Sequence, residues 1–286
     1  MTGMGDIHWI KFHGIDGLTI NGTGQIIGKG TNQKIKNGPH AALGILNCNN
    51  VIVNGLKIVS GSGKHISIVE CIGVHISQLT ITAPGESRNT DGIHIERSQH
   101  VEILFSTIGT GDDCISIGGG TSDVNISHIN CGPGHGVSIG SLGYDNSEVA
   151  VEQIHFSFCN FYNTMNGARI KTWQGGSGFA RNIIFENLNF TNVDVPTSID
   201  QYYCNGHHDG GNKTSAVKVS DVHFVGVQGS TTEDVPIYLA CSQTVACTGI
   251  VLDNVQLKSE KKMTSYCLNV QGNVVDPVTP EVTCLA

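Results

Sequence analysis

Charge is scarce in this 286-residue chain: Asp, Glu, Lys and Arg make up 14% of it, and aromatic residues 6%. Proline occurs 7 times and tryptophan twice. Low proline with modest charge excludes a low-complexity or disordered chain. No apolar run approaches the roughly 18 residues that a membrane-spanning helix needs, so no membrane partner is expected. Positive charge is in deficit, with 16 Lys and Arg against 24 Asp and Glu for a net charge of −8. Non-specific nucleic-acid binding rests on a basic footprint, so no nucleic-acid partner is expected either. A local pair of cations can still attract an anionic ligand against that global sign. Helical periodicity is nearly missing. So is a signal peptide, because "MTGMGDIHWIKFHG" has no charged segment followed by an apolar one.

What is abundant points to strands. Glycine occurs 37 times, and Val, Ile, Asn, Ser and Thr dominate the rest, as in short strands joined by tight turns. A chain of this length buries about three quarters of its extended surface on folding, enough for an extensive core. The ten cysteines form no recurring Cys-x-x-Cys pairs, which argues against tetrahedral zinc. An even cysteine count and Asn-x-Ser/Thr sequons at Asn21, Asn125, Asn189 and Asn212 favour an oxidising, secretory environment. With no leader visible, the expectation is a secreted chain whose natural start is missing.

One phrase recurs: apolar, any, apolar, two of any, apolar, any, apolar. It reads "VIVNGLKI" from Val51, "VHISQLTI" from Val74, "VEILFSTI" from Val101 (with Ser106 in an apolar place) and "VNISHINC" from Val124. Further copies are "VAVEQIHF" from Val149, "IIFENLNF" from Ile183, "VKVSDVHF" from Val217 and "IVLDNVQL" from Ile250, with "HGIDGLTI" from His13 as an earlier one. Periods of this size signal a solenoid or propeller. Two short alternating runs per unit suit one coil of a right-handed parallel β-helix, whereas a propeller blade needs four strands. The expected architecture is all-β, a single-stranded right-handed parallel β-helix forming one domain over residues 1–286.

A second strand follows each phrase: "DGIHI" from Asp91, "DCISI" from Asp113, "HGVSI" from His135 and "ARIKT" from Ala168. Stacked coils superpose equivalent positions about 4.8 Å apart. Asp91, Asp113 and His135 then form a column, with Asp112 beside it. Ile93, Ile95, Ile115, Ile117, Val137, Ile139 and Ile170 alternate into the core. His94, Ser116, Ser138, Arg169 and Lys171 fall on the outer face. Taken singly, Asp91 reads as a turn residue, the Asp112–Asp113 pair as a turn cap or calcium ligand, and Arg169 and Lys171 as a solvated strand face. Neighbouring carboxylates about 5 Å apart repel by roughly 3 kcal/mol at an effective dielectric of about 20. Registration of so many ionisable groups on one wall, in a chain so poor in charge, favours a cleft with chemistry in it.

At these residues the chain resembles a family. "NTDG", "GDDC", "GHG" and "RIK", in this order, are similar to the signature of polygalacturonases, the glycoside hydrolases of family 28, and "CGPGHGVSIGSLG" and "IDQYYC" resemble the plant members. The resemblance implies inverting hydrolysis of α-1,4 galacturonic linkages in de-esterified pectin, with polygalacturonate as substrate, no cofactor and no metal. It implies a secreted cell-wall enzyme, and a monomer is expected. It also implies that Asp112 is the general acid, that Asp91 and Asp113 activate water, and that His135 helps hold the acid's protonation state. Arg169 and Lys171 would grip the substrate carboxylate, with Tyr203 near the cleaved bond. Disulfides Cys114–Cys131, Cys241–Cys247 and Cys267–Cys284 are implied too.

Inverting enzymes need roughly 6.5–9.5 Å between acid and base, a separation that coil stacking alone does not deliver. The N-terminal coils depart from the family pattern: "GQIIGKG" has Ile27 where an aspartate is usual, no tryptophan pair follows, and "VSGSGKHISI" lacks the usual Asn-Ser-Pro. Two alternatives stand beside hydrolysis: a calcium-dependent pectate lyase, and an inactive β-helix that binds polysaccharide.

Overall fold

The computed structural model describes residues 8–28, 41–59 and 63–285. The segment where a tryptophan pair is usual, residues 29–40, and residues 60–62 of "VSGSGKHISI" lie outside the described residues. Among the described residues there is no α-helix, only short 3-10 turns at Tyr144–Asn146 and Thr283–Leu285. The rest is a right-handed parallel β-helix, as expected. One sheet stacks ten strands, from His8–His13 through Ala41–Leu46, Lys64–Val69, Ile93–Glu96, Ile115–Ile117, Val137–Leu142, Asn166–Thr172, Val195–Asp200 and Ile237–Ala240 to Ser265–Leu268. The remaining seventeen strands form the other walls.

The repeat phrase is the corner between two of those walls. Val51, Val74, Val101, Val124, Ile154, Ile183, Val222 and Ile250 lie on one another in successive coils. The copies assigned to Val149, Val217 and His13 are therefore out of phase by five residues; the true ones begin at Ile154, Val222 and Leu18. The physical reason is a self-similar coil. Each coil bends twice through a left-handed residue, once at the fifth place of the phrase (Gln78, Phe158, Asn187) and once just before it (Asn50, Gln153, Asp221). Both bends leave a two-residue gap between apolar pairs, so the same pattern reads across either. Asn and Gly tolerate that backbone best, which accounts for their abundance.

Apolar columns fill the interior. Phe156, Phe185 and Phe224 stack with centroids 5.4 and 5.1 Å apart, fully buried. Ser106, the break in the third copy, is also buried. It donates to the Leu104 carbonyl at 2.9 Å and accepts from the Leu79 N–H at 3.1 Å, so no polar atom is stranded. The three implied disulfides are present, while Cys48, Cys71, Cys159 and Cys204 are free. Cys267–Cys284 fixes the last described segment against its coil. All four sequon asparagines are exposed.

Phe185 sits between two rings that stack on both of its faces. Phe185→Ala should cost about 3–5 kcal/mol, read as a fall in the denaturant midpoint. A loss below about 1 kcal/mol would mean that the column collapses onto the gap, contrary to close packing.

Candidate active site

The outer face of the ten-stranded sheet carries the predicted column. Ile93, Ile115, Val137 and Ala168 are in register, as are His94, Ser116, Ser138 and Arg169. Arg169 thus lies directly on Ser138. The rung that continues Asp91, Asp113 and His135 is Asn166, two residues earlier than the Ala168 alignment placed it; the loop between Leu142 and Glu148 and a register shift after Ile139 hide this in the sequence. The parity is unchanged, so the facing of Arg169 and Lys171 holds.

Glycine lets the loops approach. A Cβ on Gly136 (φ 84°) would fall 2.0 Å from the Asn166 carbonyl oxygen, and one on Gly111 2.1 Å from that of Ser87. Larger residues beside Asp112 or His135 would push neighbouring coils apart. Cys114, adjacent to Asp113, is bonded to Cys131 with Cα atoms 5.9 Å apart.

Three carboxylates face three different environments. Asp113 is 2% exposed and meets both cations: Arg169 Nη2 donates to Oδ1 at 3.0 Å and Lys171 Nζ to Oδ2 at 2.9 Å. Ser138 Oγ donates to Oδ1 at 2.8 Å and in turn accepts from Arg169 Nε at 3.0 Å. Asp112 lies 3.1 Å from His135 Nδ1 and accepts N–H bonds from Asp113 and Asn89 at 2.9 and 3.1 Å. Burial pushes its carboxyl up, but the His135 hydrogen bond and charge, the Asp113 N–H and Lys171 outweigh that and hold it at about 2. Among the described residues the Asp91 carboxyl is bonded by a neutral donor, Ser116 Oγ at 2.7 Å. Burial, then the negative charges of Asp113 and Asp112, raise its pKa. The two shifts run in opposite directions, upward at Asp91 and downward at Asp112.

Tyr203, half-buried, lies beside the cluster with Lys171 Nζ 5.4 Å from its ring centroid, and packs edge-on against Trp173. All seven sequence-predicted residues thus belong to one wall. The sequence placed His94, Ser116 and Ser138 on this face without a role. Each serine bonds the aspartate 25 residues earlier, and His94 Nδ1 lies 2.8 Å from Ser116 Oγ. Missed altogether was His208, whose Nδ1 lies 2.6 Å from buried Asp200 one coil beyond Lys171. Asp112, Asp113 and His135 present atoms within 4.8 Å of one another, a spacing that suits a metal ion. Two cations already occupy Asp113, and their charge opposes a divalent ion there.

Buried acids with cations beside them on a β-helix wall are an arrangement that can supply acid–base chemistry to an anionic or polar ligand. The profile of "Glycosyl hydrolases family 28" matches residues 4–280, and the chain belongs to that family. A probable polygalacturonase of Arabidopsis thaliana is 45% identical over 97% of this chain and 62% of its own length. A polygalacturonase of Persea americana is 42% identical, with coverages of 92% and 60%. The chain thus spans about three fifths of the length of these relatives. The polygalacturonase of Erwinia carotovora shares the fold at a TM-score of 0.79, with 24% identity over 93% of this chain and 73% of that one.

The two carboxyls carry opposite pH signatures. An unfolded aspartate titrates near 3.8. Asp112 therefore contributes roughly 2 kcal/mol above that pH, lost as pH falls through its folded value. Asp91 binds its proton more tightly when folded, so ionising it costs stability as pH climbs past 3.8. Near neutral pH, Asp91→Asn should raise the thermal midpoint and Asp112→Asn lower it, the second effect shrinking toward pH 2. Calorimetry across that range checks both signs, and a destabilising Asp91→Asn would contradict the assignment.

Proposed function

We propose that this chain hydrolyses α-1,4 galacturonic linkages of de-esterified pectin with inversion, acting as a secreted cell-wall enzyme and as a monomer. The observation that carries this reading is the convergence of Asp91, Asp112, Asp113 and His135 with Arg169 and Lys171 on one wall. Exposed sequons and three disulfides support secretion.

Asp112 is the general acid. Its side chain retains 19% of its exposure and is the most open of the cluster's aspartates to an incoming glycosidic oxygen. A sugar ring laid over it removes that remaining water, and the substrate carboxylate competes for Lys171. Both effects raise the pKa of Asp112, so substrate assembles the proton-donating form. Asp113, bonded to its two cations, and Asp91 orient and activate the attacking water. His135 grips the Asp112 carboxylate through Nδ1 and settles where the proton resides. Arg169 uses two of its five N–H groups on Ser138 and Asp113, and Lys171 one of three on Asp113. The remaining donors are free for the planar carboxylate of galacturonate, with Tyr203 against its ring.

Asp112→Asn should lower kcat by about 10²–10⁴-fold, the usual worth of a general acid, while binding of oligogalacturonate persists. Reducing ends should form from polygalacturonate in the presence of chelator, without the absorbance of a new double bond. Unsaturated, calcium-dependent products would establish a lyase, and an Asp112→Asn protein indistinguishable from wild type would leave a binding β-helix.

A further inference from the structure

Each serine of the outer face stands between an aspartate and one further side chain, and that further side chain differs. His94, Ser116, Ser138 and Arg169 follow one another in register on successive coils. Ser138 Oγ donates to Asp113 and accepts from Arg169 Nε at 3.0 Å. Ser116 Oγ donates to Asp91 at 2.7 Å and has His94 Nδ1 2.8 Å away on its other side. A guanidinium keeps its protons at any working pH, so no proton leaves Asp113 through Ser138. An imidazole takes a proton at one nitrogen and releases one at the other, so the path through Ser116 is open. Of the two acids proposed to activate water, one has an outlet.

That outlet leads to water. His94 Nε2 lies 3.5 Å from Glu96 Oε2, and the two side chains retain 16% and 35% of their exposure. Both line a cavity of about 540 Å³ together with Arg97, Tyr144 and Glu148, and none of the three aspartates lines it. The His94 hydrogen bond, helped against burial by the charges of Arg97, His94 and Lys64, lowers the pKa of the Glu96 carboxyl. Arg97 is shared with Glu70 at 3.0 Å, and the charge of Lys64 also acts on Asp91. A carboxylate beside Nε2 draws the imidazole N–H to its own side and leaves Nδ1 able to accept from Ser116. Asp91 and Asp113, by contrast, are both buried. A sugar ring over the acids removes what water they have, so a proton taken up beneath it needs a route through the protein.

We propose that His94 is a positioning residue that relays the proton of the attacking water from Asp91, through Ser116, to solvent beside Glu96. The inference rests on the hydrolase reading above and deepens it. In the bond-breaking step the leaving oxygen departs from the anomeric carbon with the proton of Asp112. Water bonds to that carbon and gives its own proton to Asp91. Asp91 then passes this proton to Ser116 Oγ, Ser116 passes its hydroxyl hydrogen to His94 Nδ1, and the Nε2 hydrogen leaves to water. Ser116 is left donating to Asp91 and accepting from Nδ1, which is the bonding found in the structure, since a serine has one hydrogen to direct. Exchange of the ring hydrogens with solvent resets His94. Asp112 regains its proton from solvent, so the cycle releases none overall.

Two variants and two small molecules test the relay. His94→Ala and His94→Gln should each lower kcat on polygalacturonate by about 10-fold or more, short of the roughly 10²–10⁴-fold of a group acting in the transition state itself. KM should change little, and circular dichroism should show the fold unchanged. Glutamine keeps an N–H for Ser116 but cannot exchange one proton for another, so a role confined to holding the serine would leave His94→Gln at wild-type activity. Imidazole added to His94→Ala should restore turnover, because the cavity admits it. Pyrazole, of the same shape but a far weaker base, should not. Wild-type kcat in either variant, or restoration by both heterocycles or by neither, overturns the relay, while turnover by the wild type leaves hydrolysis standing. A wild type that forms no reducing ends from polygalacturonate removes the hydrolase reading and the relay with it.

Discussion

In-register stacking of one coil on the next is the constraint from which the rest of this molecule follows. Parallel ladders place Ile115 on Ile93 and Val137 on Ile115, and the loops that precede those strands carry Asp91, Asp113 and His135 into vertical succession. A slip of one residue in any rung would turn its apolar set outward and its serine inward. The core therefore enforces the site: buried isoleucines at 0–1% exposure admit one register, and the outer face inherits its order. Gly111 and Gly136 serve the same end, since the loops between rungs close only where no Cβ intervenes.

That geometry creates an electrostatic problem which the neighbours solve unequally. Asp113 receives two cations, Asp112 an imidazole and backbone N–H groups, and Asp91 a hydroxyl. Charge is compensated most fully at the deepest acid, Asp113, and the pKa rises at Asp91, where burial and the neighbouring carboxylates outweigh a single hydroxyl bond. The arrangement costs stability at Asp91, a strain located where the chemistry is proposed to occur. It also means that neither Arg169 nor Lys171 is idle before substrate arrives. On the proposed reading, their grip on a substrate carboxylate extends their hold on Asp113, which couples binding to acid–base balance through the same two side chains.

The fold was legible because the repeat is written in buried residues: six of eight core phrases, from Val51, Val74, Val101, Val124, Ile183 and Ile250, were read in phase. Phase was lost at Val149 and Val217, where apolar pairs flank the bends at Gln153 and Asp221 at the same spacing as the phrase itself. Within the site, Asp91, Asp112, Asp113 and His135 stood out as charges in a charge-poor chain. Ser116 and Ser138 did not, since a serine on a strand face is unremarkable until register sets it above an aspartate. His208 was hidden for another reason. It reaches Asp200 from the far side of a hairpin closed by the Cys204–His207 bridge, a loop geometry that no periodicity encodes.

A chain of net charge −8 meeting a polyanion must rely on local cations, because long-range attraction has the wrong sign. At an ionic strength of about 0.1 M the Debye length is roughly 10 Å, so the repulsion of the whole molecule fades within two coil spacings. Recognition then depends on which charges lie within that distance of each sugar. Arg169 and Lys171 lie beside the acids, whereas Asp194 and Asp234 follow in the next two coils, so attraction for an anionic unit is confined to the coil that carries the two cations.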